Sequence, residues 1–172
     1  MENMLKNYGA VCVFGASSPA TKKIYISAAY RLGELLATHN IECVCGAGRA
    51  GLMQAVTEGA LSLSGRVTGI IPQFMVDNGW SHPQLSHTIV TPDMHTRKQM
   101  MIESCDAIIA LPGGCGTFEE LLEVITWKQL GLHSKPIIIL NTAGYYDSLI
   151  ALLNHAIEEH FMKDCHKEIW DV

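Results

Sequence analysis

Charge is scarce in this chain: Asp, Glu, Lys and Arg make up 17% of its 172 residues, and the net charge is −5 with histidine neutral. No basic surplus is left to neutralise a polymeric phosphate backbone, so a nucleic-acid polymer is excluded as a partner and any bound phosphate must be small and locally held. No C-x-x-C pair occurs among the six cysteines, and none of the eight histidines falls at an H-E-x-x-H or Cys/His zinc spacing. A zinc site therefore has no ligand set; His160, Cys165 and His166 cluster near the C-terminus and read as tail residues, and neither metal nor cofactor is expected. Long apolar runs are also missing. After a polar start over Met1 to Gly9, Ala10 to Phe14 is too short for a signal core or a membrane span, and the expectation is a cytoplasmic chain with reduced thiols, not inserted in a membrane.

What the chain does have is apolar substance, 48% of its residues, which excludes intrinsic disorder. The length suits one domain over residues 1–172. The apolar surplus over what a small monomer needs points to a homo-oligomer.

Short apolar runs alternate with helical patterns. Ala10 to Phe14 ends in Gly15-Ala16-Ser17-Ser18-Pro19, and Ile26, Tyr30, Leu32, Leu35 and Leu36 then recur at helical spacing. Ile41 to Cys45, the loop Gly46 to Gly51 and a helix from Leu52 to Leu63 repeat the unit, and Val67 to Ile71 forms a strand stopped by Pro72. Gln73 to Gln84 is polar and reads as a functional loop. Beyond it come a strand at Thr88 to Val90, a helix from Met94 to about Ser104, strand Ala107 to Leu111, helix Phe118 to Leu130, strand Pro136 to Leu140 and helix Ser148 to His160. Strands without polar alternation, such as Ile137 to Leu140, belong in a sheet buried on both sides. The fold class is α/β: three-layer and Rossmann-like, a mostly parallel sheet with helices on both faces. In that architecture ligands sit at the carboxyl ends of the strands, where the glycine loops lie.

Pro112-Gly113-Gly114-Cys115-Gly116-Thr117 joins a buried strand to a helix, and its glycines can aim successive N–H groups at one point, next to the positive end of the helix dipole. A phosphate cradle is one reading; a tight turn with an N-cap is the other. Thr117-x-x-Glu120 likewise reads either as a capping box or as a carboxylate one turn from a bound phosphate. Glu119 and Glu123 fit a solvated face. Met94, Arg97, Lys98 and Met101 share one helical face, where two cations early in a helix oppose its dipole and need compensation. That stripe is a solvated pair or a face for base and phosphate. Cys115, at a helix N-terminus, lacks a histidine base nearby in sequence to make it a nucleophile. Gly46-Ala47-Gly48-Arg49-Ala50-Gly51 matches G-x-G-x-x-G, but it follows the second strand, and no acid stands about 20 residues on, where a ribose would need one.

With these residues placed, the chain resembles the Lonely Guy (LOG) family of cytokinin-nucleotide phosphoribohydrolases, long mislabelled lysine decarboxylases. The likeness covers nearly all of the chain. P-G-G-x-G-T-x-x-E is intact from Pro112 to Glu120 and continues into Glu123-Val124-Ile125-Thr126-Trp127, Gln129-Leu130-Gly131 and Lys135-Pro136. Asn141 and Gly144-Tyr145-Tyr146-Asp147 also look like the family. Met94-His95-Thr96-Arg97-Lys98 matches a second motif, with Thr96 where members usually carry Glu. Gly46-Ala47-Gly48 replaces a more usual triple glycine, and Ala16 departs in the first loop. The resemblance implies Arg97 and Glu120 as catalytic residues, with Ser17, Met94, Lys98, Gly113, Gly114, Gly116, Thr117 and Thr126 lining the nucleotide site. It also implies a homodimer or larger assembly, and a nucleoside 5′-monophosphate as substrate, cleaved at its N-glycosidic bond to base and ribose 5-phosphate. A nucleotide-binding regulatory protein and an NAD(P)-dependent oxidoreductase are the alternatives. No lysine context in the sequence suggests a pyridoxal-phosphate enzyme.

Overall fold

The computed structural model describes residues 9–172; the polar start up to residue 8 lies outside the described residues. Six strands form one parallel sheet in the order β4-β3-β2-β1-β5-β6: β1 (Ala10–Phe14), β2 (Glu42–Cys45), β3 (Val67–Pro72), β4 (His87–Thr91), β5 (Ala107–Ala110) and β6 (Ile137–Ile139). Between them run α1 (Lys23–Thr38), α2 (Gly51–Ser62), α3 (Gln73–Asp77), α4 (Met94–Glu103) and α5 (Cys115–Gln129), with α6 (Asp147–Glu158) after β6.

The inner strands are mostly apolar because both of their faces are covered, whereas the edge strand β4 (His-Thr-Ile-Val-Thr) is largely exposed. Along β1, Val11 and Val13 enter one core with residues of α1 and α2, whereas Cys12 and Phe14 enter the other with residues of α4, α5 and α6. The alternation follows the two-residue period of a strand. On α1, Ala29, Gly33 and Leu36 are the buried positions, one helical stripe on which Gly33 lies against the α2 backbone at Val56, Gly59 and Ala60. Ile108 and Ile137 are fully buried, each contributing roughly 1.5–3 kcal/mol by leaving water. Truncating Ile108 to Ala would leave a void costing about 2–5 kcal/mol.

The order of the strands fixes where a crevice opens. The chain winds outward from β1 to β4, then returns to place β5 on the other side of β1. Loops leaving β1 and β5 therefore diverge at their carboxyl ends. They are stitched together where the Ala16 N–H donates to the Pro112 carbonyl at 3.1 Å.

Two stretches differ from the sequence expectation. The segment read as a loop from Gln73 opens with α3, too short to show a periodicity; Pro72 precedes it, and Gln73 Nε2 donates to Asp77 Oδ1 at 2.8 Å. Helix α5 begins at Cys115, not Phe118, with Gly114 as its N-cap. The glycine loop is shorter than it reads, and Gly116 and Thr117 lie in the first helical turn.

Candidate active site

Three consecutive N–H groups at the start of α5 point outward without helical partners. The first bond of the helix runs from the Phe118 N–H to the Gly114 carbonyl at 3.0 Å, so helix geometry leaves the N–H groups of Cys115, Gly116 and Thr117 without intrahelical acceptors. No side chain caps this end. It is an anion-accepting terminus of the kind that binds phosphate. The turn before it is held tightly: a Cβ at Gly113 would overlap the Thr117 side chain, the Tyr145 hydroxyl donates to the Gly113 carbonyl, and the Tyr146 hydroxyl donates to the Leu111 carbonyl at 2.7 Å.

Glu120 does not return to the cap. Its carboxylate accepts from Arg97 Nη1 at 2.7 Å, in a pair whose side chains are 9% and 12% exposed. Thr117, at the third position of the helix, is not an N-cap, so the capping-box reading fails on where the helix starts. Burial raises the Glu120 pKa above the ordinary carboxylate value, and the Arg97 guanidinium beside it counters part of that rise. Arg97 is fixed from a second side, since its Nε donates to the Ile70 carbonyl at the end of β3 at 3.1 Å. A Cβ at Gly46 would overlap the guanidinium. Gly46 is thus glycine to admit Arg97.

The compensation that two early cations demand is present on both sides of α4. Asp93 caps the helix, its carboxylate accepting from the Thr96 N–H at 2.8 Å, which holds its pKa below the usual range. Lys98 is buried between Glu119, to which it donates, and Glu123, at 3.1 Å. Burial works against the Lys98 charge, but the two carboxylates together outweigh it and raise its pKa. Glu119 and Glu123 are therefore the partners of Lys98, Glu119 remaining more than half exposed.

These elements enclose a cavity of about 610 Å³, within the roughly 300–1,000 Å³ typical of small-molecule sites. Of the residues singled out in the sequence, Ser17, Met94, Arg97, Gly114, Gly116, Thr117 and Glu120 line it. Gly113 lies in the turn below. Lys98 does not reach the cavity, and Thr126 lies on a separate shallow groove along the outer face of α5 with Phe118, Leu122 and Trp127. No lysine lines the cavity among the described residues, so a lysine-bound pyridoxal phosphate does not fit here.

Sequence reasoning missed several wall residues. Arg49, Met53, Met75 and Trp80 also face the cavity, brought there by the loop after β2 and the segment after β3. The carboxyl-edge position of both segments was the available signal. Tyr145 and Tyr146 were matched as a motif without a role; their hydroxyls clamp the turn that carries the glycines.

A parallel sheet with a buried Arg–Glu pair and an uncapped helix N-terminus at its switch point defines a Rossmann-like protein with an anion-accepting crevice. The chain belongs to the LOG family of phosphoribohydrolases, whose family model carries the description "Possible lysine decarboxylase" and matches residues 53–172. It is 43% identical over 169 residues to cytokinin riboside 5′-monophosphate phosphoribohydrolase LOG3 of Arabidopsis thaliana, covering 98% of this chain and 79% of that one. To the probable cytokinin riboside 5′-monophosphate phosphoribohydrolase LOGL1 of Oryza sativa subsp. japonica it is 42% identical, over 94% of this chain and 73% of that one. Among solved structures, a molybdenum cofactor binding protein from Rippkaea orientalis superposes with a TM-score of 0.66 at 25% identity, covering 85% of this chain and 83% of that one. The Moco carrier protein of Chlamydomonas reinhardtii, at 23% identity and a TM-score of 0.68 over 85% and 84% of the two chains, shares the fold.

Proposed function

We propose that the chain hydrolyses the N-glycosidic bond of adenosine 5′-monophosphate or an N6-substituted derivative, releasing the free base and ribose 5-phosphate. The observation that carries the reading is the position of Glu120, a buried carboxylate facing the cavity one turn from the uncapped end of α5. The activity named for the relatives is of this type.

The 5′-phosphate sits on the N–H groups at the start of α5, with Gly113, Gly114, Gly116 and Thr117 shaping the cradle and Ser17 approaching from the β1 loop. That anchorage holds the ribose with its anomeric carbon toward Glu120, so remote binding energy orients the scissile bond. As the C1′–N9 bond breaks, its electron pair leaves with the base and positive charge builds on the ribose ring. The Glu120 carboxylate stabilises that charge more than it does the ground state. Water then adds its oxygen to C1′ and loses a proton toward Glu120, while the departing base takes up a proton. Arg97 keeps Glu120 aimed and lies where it can also contact the phosphorylated ribose; Met94 packs against the substrate. Lys98, with Glu119 and Glu123, holds α4 against α5, and Thr126 belongs to the outer groove.

A homodimer is part of the reading, supported by the apolar groove on α5 and by the exposure of Leu122 and Leu130. Sedimentation at a mass of two chains checks it. One domain over residues 1–172 and a cytoplasmic location complete it; all six cysteines are free, and no helix among the described residues is long and apolar enough to cross a membrane. Chromatography of the products from AMP and from its N6-isopentenyl derivative tests the function. Free base and ribose 5-phosphate are expected, and an unchanged nucleotide that binds without loss of base would assign a regulatory role instead.

A further inference from the structure

Gly113 and Gly114 are the only adjacent glycines in the chain, and the peptide between them stands at the edge of the cavity. A peptide plane flanked by glycines has no Cβ on either side to hold it, so it turns over at little cost. Nothing lies within 4 Å of where a Cβ at Gly114 would stand, so packing there does not hold the plane either. The Tyr145 hydroxyl does, by donating to the Gly113 carbonyl.

The direction of that bond fixes the direction of a second group. In a planar trans peptide the C=O and the following N–H point to opposite sides, so a Gly113 carbonyl drawn toward Tyr145 turns the Gly114 N–H away from it. Gly114 lines the cavity, whereas Gly113 and Tyr145 do not; away from Tyr145 is therefore toward the cavity. That N–H donates to no backbone carbonyl among the described residues. It stands one residue ahead of the N–H groups of Cys115, Gly116 and Thr117 and extends the same anion-accepting end. A carbonyl that accepts a hydrogen bond also polarises its own amide, which makes the N–H a stronger donor.

The phenol is held in place for this bond. Its ring packs edge-on against Tyr25 of α1, with centroids 5.7 Å apart, and against Tyr146 at 5.1 Å. The turn beneath it is tied as well: the Tyr146 N–H donates to Asn141 Oδ1, and Asn141 Nδ2 donates to Asp147 Oδ1, each at 2.7 Å. Gly144 takes a φ of +72°, with the Asp147 carboxylate where a Cβ would stand. Asn141, Gly144 and Asp147 thus aim a hydroxyl at a carbonyl 32 residues away in sequence.

We propose that Tyr145 is a positioning residue for the 5′-phosphate: by holding the Gly113–Gly114 peptide, its hydroxyl turns the Gly114 N–H onto the phosphate. The proposal rests on the reading that a nucleoside 5′-monophosphate binds with its phosphate at α5, and not on hydrolysis.

The test uses the full chain and Tyr145→Phe, which keeps the ring against Tyr25 and Tyr146 and loses only the hydroxyl. Tyr145 is 38% exposed, and the variant is expected to fold. By calorimetry AMP binds Tyr145→Phe about tenfold or more weakly than the unaltered chain, the scale of a hydrogen bond to a charged group. In the unaltered chain labelled with carbonyl-13C and 15N glycine, the Gly113–Gly114 step gives the single glycine-to-glycine carbonyl–amide NMR signal. AMP moves its proton downfield, and adenosine at the same concentration does not. AMP affinity that survives the substitution, even where the melting temperature falls, overturns the proposal. So does a Gly114 amide that AMP does not move downfield or that adenosine moves equally, and so does an unaltered chain that binds no AMP. Should Tyr145→Phe not fold, the Gly114 amide of the unaltered chain decides. AMP that binds but loses no base removes the hydrolase reading and leaves this test in force; base released by a Tyr145→Phe chain of undiminished AMP affinity removes the proposal and leaves the hydrolase reading.

Discussion

Arg97 and Glu120 meet at 2.7 Å across the carboxyl edge of the sheet, one from α4 and the other from α5, with the guanidinium also held by the Ile70 carbonyl. Neither side chain is free to serve as a surface charge. A buried pair of this kind adds little net stability, since desolvation offsets the attraction, while removal of one partner costs about 3–5 kcal/mol. Its retention at the mouth of a cavity suits a positioned acid and its aiming cation.

The protonation of Glu120 follows from that pairing. Burial holds its pKa above the roughly 4.3 of a free glutamate, so the carboxylate is present above the raised value and is lost as pH falls through it. Carbon-13 NMR titration of the Glu120 carboxyl, assigned by its disappearance in Glu120→Gln, is expected to give a midpoint above that of an ordinary glutamate. In Arg97→Met the midpoint moves further up, because the influence that lowers it is gone. A midpoint at or below the free value would contradict the buried geometry.

Gly46→Ala places a methyl group where the Arg97 guanidinium lies. Arg97 must then leave the Ile70 carbonyl, and turnover is expected to fall about tenfold or more, the scale on which small misplacements act in oriented sites. Steady-state kinetics beside a thermal melt separates this from unfolding. Unchanged turnover would show that the position of Arg97 is not critical.

Removing the 5′-phosphate from the substrate removes the anchor at α5. The nucleoside is expected to lose a factor of about 10² or more in kcat/KM, part of it in kcat, because remote binding energy is used to orient the sugar. Comparable turnover of nucleoside and nucleotide would place the phosphate elsewhere.

Much of the fold could be read from the chain because the strands are short, apolar and separated by glycine or proline, as in Ala107–Ala110 and Ile137–Ile139. Helix starts were harder. Glycines at 113, 114 and 116 hid the true start of α5, since a glycine-rich run carries no periodicity, and α3 has too few residues to display one. The site was half visible. Arg97 and Glu120 stood out as charges that needed explaining, but only the tertiary arrangement pairs them and turns Lys98 toward Glu119 and Glu123 instead of into the cavity. Trp80 and Met75 were not singled out: the segment's place at the carboxyl edge marks it as a loop that can reach the site, but not which of its side chains line the cavity. The roles of Tyr145 and Tyr146 depend on carbonyls more than 30 residues away in sequence.

The account turns on Glu120 acting at the anomeric carbon, and the most direct measurement is turnover of N6-isopentenyl-AMP by Glu120→Gln beside nucleotide affinity by calorimetry. The expected result is a folded protein that binds the nucleotide within a few-fold of the unaltered chain while kcat falls by about 10²–10⁴, the range for a lost general acid–base group. A folded Glu120→Gln protein that releases base at the full rate would contradict it.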